Sequence, residues 1–238
     1  MSNINYYNKN KDQLYILHFP GTGIKGNENI IQENIERTIK ISNDLSIISI
    51  MNQSCYDNSF IVKQCKKNNI KIHNSALFER KWNNTLKIKH ILKCLEAIKT
   101  NYVLILDGRD TLIINDLDNG FINKYEAFNK PIVFNGTPLA YPQKIIEPLQ
   151  EVIKIKGKQR FLNAGVCIGK KKELQIFYER ALQIDQKYPF NNSEQYIIRI
   201  ARKENPNLAC HDENNKLFRI CHQYDTIIKN IDGKNIII

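Results

Sequence analysis

Asp107 and Asp110 stand three residues apart at the end of an apolar run, Tyr102-Val103-Leu104-Ile105-Leu106. Such a run reads as a buried strand, and Asp107-Gly108-Arg109-Asp110 then sets two carboxylates at its mouth. Open α/β sheets bind ligands there, in the crevice beyond the carboxyl ends of their strands. Two carboxylates held close together repel each other unless a cation or a shared proton compensates. A hard divalent cation carrying a substrate's phosphates is the most direct compensation. Asp, Gly and Arg are also ordinary turn residues, so by itself the segment supports a solvated turn as well.

The elements that must position these carboxylates are visible as alternating patterns. Leu14 to Phe19 is apolar and is broken by Pro20-Gly21-Thr22-Gly23, as a strand feeding a loop would be. Asn27 to Ser42 carries Ile30, Ile31, Ile35 and Ile39 at helical spacing, and Leu45 to Met51 reads as the next strand. Lys67 to His73 reads as a possible third. The clearest helix spans about Asn84 to Lys99, where Ile88, Ile91, Leu92, Leu95 and Ile98 form one apolar stripe leading into the strand that ends at Asp107. Further on, Ile132 to Phe134 and Arg160 to Gly169 read as strands, and Lys172 to Asp185 and Ser193 to Lys203 as helices. Short apolar runs follow around Leu208, Leu217 and Ile227. This alternation predicts an α/β fold with a largely parallel sheet covered on both faces, followed by a more irregular second half.

The 238 residues, 42% hydrophobic, suffice for one substantial core, and no internal repeat or long linker divides them. We therefore expect a single domain over 1–238, in two halves that divide at about residue 110. Lys and Arg outnumber Asp and Glu by 35 to 24. Much of the excess lies in residues 61–100, where ten Lys/Arg face only Glu79 and Glu96. Such a patch attracts phosphates, an anionic membrane surface or nucleic acid, and equally makes a solvated helix face. Nucleic acid is not expected, because aromatics are not interleaved with the charges; Phe78 and Trp82 stand nearly alone.

The polar start, Met1 to Gln13, has no signal-peptide run, and no segment approaches a membrane span. The six cysteines are scattered without a Cys-x-x-Cys pair, which points to reduced, packed thiols and a cytoplasmic protein. There is no Gly-x-Gly-x-x-Gly after the first strand and no Gly-Lys-Ser/Thr loop, so dinucleotide and P-loop enzymes are disfavoured.

Several motifs recur in a familiar order. They are Trp82 and Lys87-Ile88, Leu104 to Asp110, Ile132-Val133-Phe134-Asn135-Gly136, Tyr141-Pro142, Arg160-Phe161-Leu162-Asn163-Ala164-Gly165-Val166-Cys167-Ile168-Gly169, Ser193-Glu194-Gln195 and Leu217-Phe218. The series resembles the glycosyltransferase domain of the procollagen lysyl hydroxylase/glycosyltransferase family, a GT-A fold, over roughly Trp82 to Phe218. The resemblance implies a UDP-sugar donor, with Mn²⁺ or Mg²⁺ bridging protein carboxylates and the pyrophosphate. It places Asp107 against ribose and metal, Gly108 beside the donor and Asp110 as a principal metal ligand. Lys87 falls where the family has a lysine near the nucleotide, though it reads equally as a surface lysine. Asn163 and Gly165 resemble part of a sugar pocket, since Gly permits close backbone approach and an amide can hold a hydroxyl. Gly165 also reads as a structural turn. Glu194 and Gln195 are the expected sugar-facing pair, the carboxylate suited to an oxocarbenium-like centre; a helix first turn capped by Ser193 gives the same pattern. Tyr141 takes the place of the family's Trp before Pro142, with a ring that suits a sugar face or a half-buried site.

The chain departs from the family where the metal site should close. The family supplies a His from a His-Gly-Asn-Gly segment near the domain's end. The corresponding stretch here, Thr226 to Lys234, has none. Asp232 is the expected third ligand, or Lys229 supplies positive charge directly to the diphosphate. His211 and His222 are the nearby histidines, each read more readily as structural. Together these readings imply transfer of a hexose, glucose or galactose, to a hydroxyl on a glycan, a lipid-linked saccharide or a collagen-like protein, with peripheral membrane contact possible. A non-catalytic sugar-nucleotide-binding domain is the competing reading.

Overall fold

The computed structural model describes residues 6–8, 13–21, 23–138, 159–187, 193–221, 228–231 and 234–237. Its centre is a six-stranded sheet: β3 (Leu45–Ile48), β4 (Ile72–His73), β5 (Tyr102–Leu106), β7 (Ile132–Thr137), β8 (Phe161–Lys170) and β9 (Ala209–Asp212). The spatial order is β4-β3-β5-β8-β7-β9. β8 runs antiparallel to β5 and β7, and the other pairings are parallel. This is the mainly parallel α/β sheet expected. β5 occupies its middle, which is why Val103 to Leu106 are all apolar and all buried: strands covered on both faces lose the alternation of half-exposed ones.

Helices cover both faces. On one side lie α4 (Leu86–Ala97), α6 (Lys171–Lys187) and α7 (Glu194–Glu204), whose Ile91, Phe177 and Ile198 pack with Ile105, Phe134 and Cys167 of the sheet. On the other, α3 (Phe60–Lys67) and α5 (Asn119–Glu126) close over Leu104, Leu106, Val133 and Val166. The stripe read in α4 is the buried face, with Ile88, Ile91 and Leu95 inside.

Three expectations change. The helix anticipated from Asn27 to Ser42 is the shorter α1 (Glu28–Ile35), and Ile39 lies beyond it, with its N–H given to the Asn68 side chain. The strand anticipated from Lys67 starts later, at Ile72. The chain before it is helical, as α2 (Gln53–Asn58) and α3, whose first residues follow caps by Asn52 and Ser59. The third change bears on function. β2 (Ile16–His18) does not enter the central sheet; it lies between β6 (Thr111–Ile113) and β10 (Phe218–Ile220) in a small sheet, antiparallel to β6 and parallel to β10. A third sheet joins β1 (Tyr6–Tyr7), β12 (Lys234–Ile237) and β11 (Ile228–Ile231).

The turn between β9 and β10 fixes that small sheet. Asp212, fully buried, accepts from the N–H groups of Lys216, Leu217 and Phe218 at 2.8, 2.6 and 3.1 Å. Asp212→Ala leaves these donors without their acceptor and should lower stability by about 2–4 kcal/mol in urea denaturation. A loss below about 0.5 kcal/mol would show that the turn does not depend on the carboxylate.

Candidate active site

Asp107 follows the last residue of β5, and its N–H donates to the Gly165 carbonyl at 2.7 Å. The chain turns through Gly108 to Asp110 and enters β6, where Thr111 Oγ donates back to the Asp107 carbonyl at 2.6 Å. A side chain at Gly108 would meet Met51, with a Cβ only 2.8 Å from Met51 Cε, so the tight turn over Met51 requires glycine.

The small sheet delivers the third member. His18 ends β2 opposite Thr111 in the register, and the Phe19 N–H donates to the Asp110 carbonyl at 2.8 Å. His18 Nε2 therefore lies 3.4 Å from Asp110 Oδ1 and 3.6 Å from Asp107 Oδ2. One ligand atom from each of the three residues falls within 4.8 Å of the other two, as a shared metal ion requires. Both His18 ring nitrogens and Asp110 Oδ1 are buried without a hydrogen-bond partner. Buried polar atoms are rarely left so, and Nε2 facing Asp110 Oδ1 marks a place for a group both can coordinate.

Gly165 makes the approach possible. A Cβ there would lie 2.3 Å from His18 Cε1 and 3.0 Å from Asp107 Oδ2. β8 presents this glycine through an irregularity in its pairing with β7. Phe134 pairs with Cys167, but Asn135 pairs with Asn163, so residues 164–166 have no counterparts on β7. Asn163 and Gln195 brace that segment. Gln195 Oε1 accepts from Asn163 Nδ2 at 3.3 Å and from the Ala164 N–H at 3.1 Å, while Asn163 Oδ1 accepts from the Gly165 N–H at 3.0 Å.

Lys87 links the metal-side carboxylates to a third. Its Nζ lies 2.5 Å from Asp107 Oδ1 and 3.2 Å from Glu194 Oε2. Burial opposes charge on Lys87, but the two carboxylates outweigh it and keep the ammonium firmly protonated. Burial likewise opposes ionisation of Asp107, yet Lys87 and His18 hold its carboxyl below the usual range. His18 is pushed down by burial and more strongly up by Asp110 and Asp107, so its pKa is raised. Glu194, at the start of α7 behind the Ser193 cap, is raised to about 7 by burial, with Lys87 holding it down and Asp107 pushing it up.

Beside this cluster opens a cavity of about 410 Å³, walled by Met51, Asn52, Cys55, Trp82, Asn84 and Lys87 and floored by residues 107–110. The Cys55 thiol is pushed up by burial and by Asp107 and Asp110, so it stays protonated. None of the six cysteines forms a disulfide among the described residues.

Of the residues singled out in the sequence, Asp107, Gly108, Asp110, Lys87, Asn163, Gly165, Glu194 and Gln195 come together here. Tyr141, Asp232 and His222 lie outside the described residues, as does the side chain of Lys229, whose backbone is in β11. His211 is elsewhere: buried, bonded through Nε2 to the Gln159 carbonyl at 2.9 Å, and lowered to about 4 by burial and Arg202. The residue that sequence reasoning passed over is His18. Its signal was the one that exposed Asp107: an apolar run ending in a potential ligand just before a turn.

The chain belongs to the PLOD GT domain family, the glycosyltransferase domain of the lysyl hydroxylase/glycosyltransferases, which matches it over residues 73–218. His18 lies outside that stretch. A solved structure of mouse xyloside xylosyltransferase 1 in its apo form is also similar, at 12% identity and a TM-score of 0.41, covering 82% of this chain and 83% of that one. Comparison with curated protein sequences gives no match.

The geometry fixes what metal titrations should read. His18→Ala and Gly165→Ala should each weaken Mn²⁺ affinity by at least about tenfold, measured by calorimetry, the first by removing a ligand and the second by displacing it. Because the raised pKa keeps His18 protonated to higher pH, wild-type affinity should fall as pH drops from 8 to 6. Affinity unchanged in both variants would remove His18 from the site.

Proposed function

We propose that this chain transfers a hexose from a UDP-sugar to a hydroxyl acceptor. The observation that carries the reading is the convergence of His18, Asp107 and Asp110 on one point beside the 410 Å³ cavity. Two carboxylate oxygens and an imidazole nitrogen fit Mn²⁺ or Mg²⁺, and the partnerless atoms of His18 and Asp110 suit such an ion. Bound there, the cation supplies charge against the diphosphate that leaves as the glycosidic bond breaks.

The remaining work falls to side chains. The cavity wall at Met51, Asn52 and Trp82 takes the nucleoside, with Arg109 and Lys87 placing positive charge along the floor beside it. Glu194 faces the sugar as a carboxylate and stabilises positive charge growing at the anomeric carbon. Lys87 favours the charged form of Glu194, which burial disfavours. Asn163 and Gln195 hold β8 so that Gly165 leaves room for His18. Tyr141 and Lys229 complete the donor contacts in this scheme, and Asp232 adds a further ligand. The family favours glucose or galactose as the sugar, and a glycan, lipid-linked saccharide or collagen-like protein as acceptor.

A screen of UDP-hexoses should show UDP release that requires Mn²⁺ or Mg²⁺, and Asp110→Asn should lower it by at least about 100-fold. Donor binding by the wild type without any UDP release, with or without an acceptor, would establish the non-catalytic alternative.

The Glu194 pKa of about 7 gives a second test. A group that must be ionised makes turnover rise as pH passes upward through that value. Glu194→Gln should lower kcat by at least about tenfold and abolish this limb of the profile. The same limb surviving in the variant would take Glu194 out of the mechanism.

A further inference from the structure

Phe78 is the most exposed large hydrophobic residue among the described residues, with 87% of its surface in water. It is not on a loose end. The Glu79 N–H donates to the Ala76 carbonyl at 3.0 Å, closing a tight turn with Leu77 and Phe78 at its apex. The Gln53 N–H donates to the Leu77 carbonyl at 3.0 Å. Ser75 and Glu79 then tie both shoulders of the turn to one histidine of α4. Ser75 Oγ donates to the His90 carbonyl at 3.1 Å and lies 2.9 Å from Nδ1, while the Glu79 carboxylate lies 3.1 Å from Nε2. Leu77 is thereby half-buried and Phe78 exposed.

The surroundings are cationic. Arg80 and Lys81 follow on the same loop, and Lys89 and Lys93 flank His90 on α4; all four are exposed. Lys89 and Lys93 are four residues apart and so share one side of the helix. Glu79 is the one acidic residue between positions 74 and 95, and its carboxylate reaches back to His90 Nε2 at 3.1 Å. Trp82, four residues beyond Phe78, lines the donor cavity. The turn thus stands beside the mouth of the cleft.

An aromatic apex ringed by cations, with its one local acid turned toward His90, matches an anionic lipid surface in both respects. The ring enters the headgroup and acyl boundary, and the cations meet the negative surface potential. We propose that the Phe78 turn docks this chain on an anionic bilayer. That places the cleft mouth at the headgroup level, so that the acceptor hydroxyl belongs to a membrane-held molecule. The choice of acceptor rests on the glycosyltransferase reading; the docking does not.

The test is sedimentation of the full chain with vesicles of phosphatidylcholine alone or mixed with phosphatidylglycerol, alongside UDP release in solution. The wild type should bind the anionic vesicles and not the neutral ones, and lose binding as salt rises. Phe78→Asp and the double variant Arg80→Glu, Lys81→Glu should each weaken partition at least about tenfold, with UDP release in solution unchanged. Charge reversal at Lys63 and Lys66 on α3 serves as the control and should cost far less. Absent vesicle binding, equal binding to both vesicle types, or full binding by Phe78→Asp overturns the docking. Vesicle binding without UDP release from any donor leaves the docking in place and removes only the transferase reading.

Discussion

Three carboxylates, Asp107, Asp110 and Glu194, gather where β5 ends and α7 begins, and like charges so placed drive each other apart or take up protons. The site persists because two cationic groups stand among them. Lys87 lies between Asp107 and Glu194, and His18 between Asp107 and Asp110. The two oxygens of Asp107 divide the work: Oδ1 meets the ammonium and Oδ2 faces the imidazole. Glu194 has no second cation among the described residues, and it is the carboxylate whose pKa rises, to about 7.

Backbone geometry makes that charge arrangement possible. A regular β8 would pair with β7 along its whole length. Instead, three residues are released, and Gly165 and Val166 turn to β5, where they bond Asp107 and pair with Leu106. The released segment carries a glycine at the one point where a Cβ would strike His18. Asn163 and Gln195 are polar, near the sugar side and tempting as ligands for hydroxyls. Their hydrogen bonds show a prior engagement: both hold the released segment in place. Their effect on sugar binding then runs through the position of Gly165 and His18 as well as through any direct contact.

The sequence was informative where one element carried the whole signal. β5 ending in Asp107, the stripe of α4 and the Ser193 cap of α7 are each local patterns, and each appears where periodicity and capping place it. α2 and α3 were not legible, because polar and charged residues dilute their apolar stripe; their starts are set by the Asn52 and Ser59 caps. His18 was hidden for a different reason. It is 89 residues from Asp107, and only the pairing of β2 with β6 brings it to the turn. No local pattern encodes a partner at that separation. The family's usual order, with its histidine at the far end of the domain, points instead to residues 226–234, where Asp232 lies outside the described residues.

The origin of His18 also separates two layers of the site. The stretch matched by the family, residues 73–218, contains Lys87, Asp107, Asp110, Gly165 and Glu194, which is the whole cluster except its imidazole. β2 comes from outside that stretch but lies between β6, which is within it, and β10, which begins at its last residue, Phe218. A strand enclosed on both edges by ladder hydrogen bonds cannot shift by one residue without turning every side chain to the other face. His18 is therefore held at the cluster by the same pairing that buries Ile16, and its ring meets the carboxylates at ion-pair distances of 3.4 and 3.6 Å. An imidazole fixed there by its strand can give up its proton for a cation shared with the same carboxylates.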